Sequence, residues 1–100
     1  MNDEFKVAVY SAIGSVPEGF TASYGYIARL AGQPKHARAV GYLLKHLPKD
    51  SSLPWFRIVN SKREISFPFG TSSYQRQLEA LQAEGISLDN GKIKKEFFVG

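Results

Sequence analysis

The sequence predicts a mainly α domain of the winged helix-turn-helix type with a small β-hairpin wing. Three observations carry that expectation. Apolar residues recur at helical spacing in four separate segments. Two of those segments are short and are divided by a brief turn containing glycine, the pattern of a helix-turn-helix. Farther on, two short runs flank a polar tip, as the strands of a wing do.

Phe5, Val9, Ala12, Ile13 and Val16 trace one face of a first helix, with Asn2 or Asp3 placed to cap it and Pro17 and Gly19 to end it. Ser23 is placed to cap a second helix from Tyr24 to Ala31, with Ile27, Leu30 and Ala31 turned inward and Gly32 as its stop. Pro34 suits the first turn of a third helix that runs to about His46. Pro48 to Pro54, rich in Ser, Asp and Pro, reads as a loop. Arg57 to Asn60 and Glu64 to Ser66 then flank Ser61-Lys62-Arg63 and read as the hairpin. Phe67-Pro68-Phe69-Gly70 reads as an apolar loop. Ser72-x-x-Gln75 has the form of a capping box, opening a fourth helix with Tyr74, Leu78 and Leu81 on one face and Gly85 beyond its end. Asp89-Asn90-Gly91 is a tight-turn signal between Ile86 or Leu88 and Ile93.

One hundred residues, 43% hydrophobic and 22% charged, suffice for one small domain over residues 1–100. Thirteen basic against nine acidic residues give a net charge of +4. That excess suits a polyanionic partner, although a solvated lysine surface accounts for it equally well. The sequence holds no cysteine, which excludes disulfides, thiolate metal sites and thiol nucleophiles together. His36 and His46 are the only imidazoles, and neither has Asp or Glu at a useful spacing, so no metal or cofactor is expected. No apolar run approaches the ~20 residues of a membrane span, and the N-terminus lacks the hydrophobic region of a signal peptide. A cytosolic monomer is the expectation.

The third helix divides cleanly on a wheel of about 100° per residue. Val40, Leu43, Leu44 and Leu47 fall on the core side, and Lys35, Arg38, Tyr42 and Lys45 on the solvent side. The plain alternative is an amphipathic helix with a solvated outer face. The shoulders of the basic face, however, are small: Ala37 and Gly41 on one flank, Ala39 on the other. Small shoulders let a helix backbone approach closely, which a minor groove only about 6 Å wide requires. Arg38 projects from the centre of this face, placed to enter the base stack and fill the gap left by an extruded nucleotide.

Val16-Pro17-x-Gly19, Ser23-Tyr24-Gly25-x-Ile27-Ala28, Gly32-x-Pro34-x-x-Ala37-Arg38-Ala39-Val40-Gly41 and Pro54-Trp55-Phe56-Arg57-Ile58-Val59 follow one another in order. This series resembles the DNA-binding domain of the O6-alkylguanine-DNA alkyltransferases over roughly residues 5 to 85. In the repair enzymes the last stretch carries a Pro-Cys-His-Arg signature. Here Trp55 occupies the position of the nucleophilic cysteine and Phe56 that of the histidine which activates it. Alkyl transfer needs a deprotonated sulfur and a nearby base, and these two side chains supply neither. Glu84 corresponds to the family's glutamate that orients the histidine, and is expected to have nothing left to orient. Leu47-Pro48 departs from the family's usual Asn-Pro. The pattern is that of the alkyltransferase-like proteins, which are not enzymes.

The resemblance implies a role for each matching residue. Arg38 is the intercalating finger, and Tyr24 presses on the 3′ phosphate to rotate the target nucleotide outward. Trp55, Tyr24, Phe67 and Phe69 form the lesion pocket. Ser23, Pro34, Lys35, Ala37, Arg38, Ala39, Gly41, Tyr42 and Lys45 form the DNA-binding surface, and Lys62 and Arg63 are further candidates for phosphate contacts. Pro54 and Arg57 are structural within the motif. The implied partners are double-stranded DNA containing O6-alkylguanine and the proteins of nucleotide excision repair, to which the lesion is handed unrepaired. A winged helix reading sequence through the major groove is the alternative; it predicts long polar side chains where Ala37, Ala39 and Gly41 stand. A transferase using Tyr26, Ser23 or Lys45 as nucleophile is the second alternative, and no base accompanies any of them.

Overall fold

The computed structural model describes residues 2–48 and 50–100, so Lys49, within the loop expected from Pro48 to Pro54, lies outside the described residues. Asn2 opens the first helix, α1 (Asp3–Gly14), by accepting the Phe5 backbone N–H on its side-chain oxygen at 2.8 Å. Phe5, Val9, Ala12 and Ile13 form its buried stripe. Asp3 and Glu4 occupy its first turn, where negative charge complements the helix dipole.

Thr21–Ser23 forms strand β1, fully buried, and runs directly into α2 (Tyr24–Leu30). Ser23 caps α2 by accepting the Tyr26 N–H at 3.0 Å. The helix ends on Gly32 at φ +84, with Gln33 N–H bonded to Ala28 O at 2.9 Å and Gly32 N–H to Arg29 O at 3.0 Å. That pair of bonds satisfies the last carbonyls, and the left-handed φ is one that glycine adopts without strain. Ile27 and Ala28 are the buried residues of α2, whereas Leu30, expected inward, is 51% exposed.

The third helix, α3 (Ala37–Lys45), starts later than expected. Pro34 lies outside it, in a turn closed by His36 N–H to Gln33 O at 2.9 Å. Proline's fixed φ serves the second position of such a turn as well as it serves a helix start.

A 3-10 turn, Trp55–Arg57, leads into β2 (Ile58–Val59). This strand pairs parallel with β1, Ala22 opposite Ile58, so Arg57 to Ser66 is not the hairpin that its sequence suggests. Asn60 to Glu64 is instead a closed loop, with Asn60 N–H bonded to Glu64 O at 3.0 Å and Arg63 at φ +64. The antiparallel hairpin is β3 (Leu88–Asp89) with β4 (Lys92–Ile93), turned by Asn90-Gly91 at φ 53 and 78. Ahead of that hairpin, α4 (Ser72–Ala83) is capped by Thr71, one residue before the expected Ser72: the Thr71 hydroxyl accepts Tyr74 N–H at 3.2 Å and donates to Pro68 O at 2.8 Å. A second 3-10 turn, Lys95–Phe97, precedes β5 (Phe98–Val99), which pairs parallel with the other edge of β1.

The sheet order β2-β1-β5 sets two cores against each other. Ile58 packs with Val9, Ile13, Ile27, Val40 and Leu43, and its neighbour Val59 with Ile65, Leu81, Ile86 and Ile93. Successive strand residues face opposite sides, so two adjacent side chains of β2 join two clusters. The turn carrying Trp55 sits at that seam.

Candidate nucleic-acid interface

A cleft of about 590 Å³ opens between α3 and the loop from Ser66 to Pro68. Ala37, Arg38, Gly41, Leu44 and Lys45 of α3 form one wall, Ser66, Phe67 and Pro68 the other, and Tyr24, Trp55, Ile58 and Gln77 complete it. Tyr24, Arg38, Trp55 and Phe67, drawn from four distant stretches of sequence, thus meet in one cavity. Its lining is apolar aromatic on the loop side and cationic on the helix side.

Tyr24 reaches across the cleft because it is the first residue of α2, immediately after the Ser23 cap. Its hydroxyl donates to Ser66 Oγ at 3.0 Å, tying the helix start to the opposite wall. Trp55 is half-buried and stands nearly perpendicular to Phe67, with ring centroids 6.4 Å apart and planes at 77°, and to Phe56 at 6.0 Å and 86°. Edge-to-face packing of this kind fixes a ring through the aromatic quadrupole. Arg38 is exposed near the start of α3, one residue after Ala37 and three before Gly41. Lys45 lines the same wall two turns on.

The turn that carries Trp55 is held from behind. Pro54 introduces it, and Arg57 N–H bonds to Pro54 O at 3.1 Å. The Arg57 guanidinium donates through Nη1 to Val16 O at 2.9 Å, and grips the Glu84 carboxylate through Nε at 2.9 and 3.2 Å and Nη2 at 2.5 Å. Glu84 Oε1 also accepts Gly19 N–H at 3.2 Å. The Arg57 hydrogen bond holds the Glu84 carboxyl below the usual carboxylate range; burial opposes this, and the Gly19 bond and the guanidinium charge reinforce it. Arg57 is correspondingly raised, chiefly by the same hydrogen bond. Glu84, expected to have nothing left to orient, orients Arg57.

Gln77 is a buried brace that the sequence reading missed. It is 2% exposed, and its Nε2 donates to Phe56 O at 2.9 Å and Ile58 O at 3.0 Å, on either side of Arg57. The available signal was a polar residue one turn before Leu81 on an otherwise apolar face. Ser66, Leu44 and Ile58 also line the cleft and were not singled out as site residues.

Other residues expected at the interface lie outside the cleft. Ser23 is 2% exposed and committed to the cap of α2, so its side chain is not offered to a ligand. Phe69 is 88% exposed but packs on Tyr74, ring centroids 5.3 Å apart, outside the cleft, because the turn closed by Thr71 N–H to Pro68 O carries it away from Phe67. Ala39 packs against the first core and borders a separate depression with Phe5 and His36. Pro34 and Lys35 are exposed in the turn before α3, and Tyr42, 57% exposed, packs at a tilt of 42° against His46 with centroids 4.3 Å apart. Lys62 is exposed, whereas Arg63 Nη1 donates to Ile93 O at 2.6 Å and is engaged in fastening the loop to β4.

Residues 4–86 match the family described as 6-O-methylguanine DNA methyltransferase, DNA binding domain. A DNA base-flipping protein of Vibrio parahaemolyticus is 44% identical over 92 residues, spanning 91% of this chain and 90% of the relative. A DNA base-flipping protein of Escherichia coli is 45% identical over 92 residues, spanning 91% of this chain and 70% of the relative. The crystal structure of S. pombe Atl1 in complex with damaged DNA containing O6-carboxymethylguanine superposes with a TM-score of 0.87 at 36% identity, covering 100% of this chain and 98% of the other. The chain therefore belongs to the family of 6-O-methylguanine DNA methyltransferase DNA-binding domains, and within it to the alkyltransferase-like proteins.

Proposed function

We propose that this protein, acting as a single-domain monomer, binds double-stranded DNA through the minor groove. It turns O6-alkylguanine out of the stack into the cleft and holds it there with the alkyl group in place. The observation that carries this reading is the presence of Trp55 in the same cleft as Tyr24 and Arg38. Extruding a nucleotide costs a few kcal/mol, less for a base whose pairing is already impaired. Arg38, exposed beside the small residues Ala37 and Gly41, enters the vacated stack and offsets part of that cost. Tyr24 presses on the phosphate, and Trp55 with Phe67 contacts the purine and its alkyl group, an aromatic contact worth about 1–3 kcal/mol.

No alkyl transfer follows. The indole of Trp55 offers no nucleophile, Phe56 cannot move a proton, and Glu84 is occupied by Arg57. The held lesion then acts as a flag for nucleotide excision repair. The names of the base-flipping relatives and the damaged DNA bound by Atl1 support this reading. The test is a binding titration on two duplexes differing by one O6-methylguanine, with the recovered DNA analysed afterwards. Tighter binding to the lesion with the methyl group retained is expected. Equal affinity refutes lesion sensing in favour of a plain winged helix, and loss of the methyl group makes the protein an enzyme.

A further inference from the structure

We propose that Ser66 is a positioning residue for nucleotide extrusion, acting through the hydroxyl of Tyr24. This rests on the lesion-binding reading above and adds to it the group that sets the phenol against the phosphate.

Tyr24 and Ser66 both line the cleft, and their oxygens lie 3.0 Å apart in a solvent-exposed hydrogen bond. Among the described residues it is the one hydrogen bond between the loop wall, Ser66 to Pro68, and the helices α2 and α3. Both ends are fixed from behind. The ring of Tyr24 packs on the first core, and its backbone follows Ser23, which is buried and caps α2. Ser66 follows Ile65, which is buried in the second core. The bond therefore ties together two side chains that are anchored to different cores. An exposed bond between neutral hydroxyls adds little to the stability of a fold, because water competes for both partners. Its effect falls on direction instead. The phenol oxygen stands at the far end of the tyrosine side chain, so one contact there restrains the swing of the whole ring.

The chemistry of the pair suits a phosphate. Each hydroxyl carries one hydrogen and accepts on its lone pairs, so donor and acceptor exchange by rotation of the hydrogens alone, with no oxygen moved. While Tyr24 donates to Ser66, the phenol presents only lone pairs to an arriving anion. Once Ser66 donates to Tyr24, the phenol hydrogen is released to a phosphate oxygen, and the two bonds polarise each other in the same sense. A hydrogen bond to an ionised acceptor is stronger than one between neutral groups, so the arriving phosphate favours the second arrangement. Ser66 thus places the phenol before DNA arrives and supplies its hydrogen bond afterwards.

The experiment follows extrusion by stopped-flow fluorescence of 2-aminopurine placed beside O6-methylguanine in a duplex, at saturating protein. Wild type, Ser66→Ala, Tyr24→Phe and the double variant are compared. Ser66→Ala is expected to slow the fluorescence rise about fivefold in the wild-type background and by less than about twofold in the Tyr24→Phe background. Ser66→Thr, which keeps a hydroxyl, is expected to stay within about twofold of the wild-type rate. Each single variant is expected to melt within about 4 °C of the wild type, which separates positioning from folding; Ser66→Gly replaces Ser66→Ala if the latter does not fold. An unchanged rate for Ser66→Ala overturns the proposal and leaves lesion binding intact. The same loss in both backgrounds also overturns it, because Ser66 would then act without Tyr24. A faster rise does so too, because the bond would then be holding Tyr24 back. A wild type that binds the lesion duplex no more tightly than its guanine counterpart removes lesion binding itself, and the proposal with it.

Discussion

Arg57 meets Glu84 side-on, with Nε and Nη2 both directed at the carboxylate, and its remaining Nη1 reaches Val16 O in the chain leading to β1. The two side chains are 14% and 11% exposed. One ion pair thereby joins the end of α4, the Gly19 turn and the segment that carries Trp55. Removing one partner leaves the other charge largely buried, so Glu84→Gln is expected to lower stability by about 2–3 kcal/mol. The Glu84 pKa is depressed in the folded state, so its contribution is complete above the unfolded carboxylate value and is lost as pH falls through the folded one. The stability gap between wild type and Glu84→Gln, measured by denaturant titration, should be constant near neutrality and shrink in acid. A gap independent of pH would show that the pair does not stabilise the fold through its charge.

On the proposed reading, in which Arg38 fills an opened stack, Arg38→Ala should weaken binding to lesion-bearing and plain duplex alike. Lys45→Ala should reduce the slope of log affinity against log salt by about one unit if Lys45 neutralises one phosphate. Unchanged affinity in the first case, or an unchanged slope in the second, removes that residue from the interface.

Phe67 and Phe69 differ by one intervening proline but not in chemistry, which makes them a matched pair. Phe67→Ala and Trp55→Ala should reduce the preference for lesion over plain DNA about tenfold, whereas Phe69→Ala should leave the preference unchanged. A larger effect at Phe69 than at Phe67 would place the lesion outside the cleft.

Trp55→Cys should not restore alkyl transfer. A thiol there would face Phe56 in place of a base, with Glu84 held by Arg57. Methyl transfer from O6-methylguanine to this variant, read by mass spectrometry of the intact protein, would contradict that expectation.

Gly85 ends α4 at φ +82 with open space where a Cβ would stand, so the cost of Gly85→Ala is purely that of the backbone conformation, about 1–2 kcal/mol. For a domain of this size each kcal/mol lowers Tm by about 4–8 °C. No change in Tm would show that the helix end can refold around the methyl group.

The helices were legible because their signals are local: Asn2, Ser23 and Gly32 each act within one turn of themselves. The cap of α4 slipped by one residue because Thr71 and Ser72 are adjacent hydroxyls with equal claims. The sheet was legible only as strand-forming tendency. Ile58-Val59 has the right composition, but its partner is Ala22-Ser23, and nothing local names a parallel neighbour so far upstream. In the cleft, Tyr24, Arg38, Trp55 and Phe67 were found from the helix wheel and the family resemblance. Phe69 stands outside the cleft, on Tyr74, because the direction of a loop side chain depends on how the turn closes. Gln77 was passed over although a lone amide on the apolar face of α4 was in plain view.

The central strand has a kinetic consequence. β1 lies near the start of the chain, yet its two neighbours come from the middle and from the far end. Such distant pairings are slow to form, because a long loop must close before either repays its entropy. A chain still being synthesised can assemble α1, α2 and α3, but β1 remains open along one edge until Phe98 and Val99 arrive. That edge is a template for a stray strand until Phe98 and Val99 pair with it.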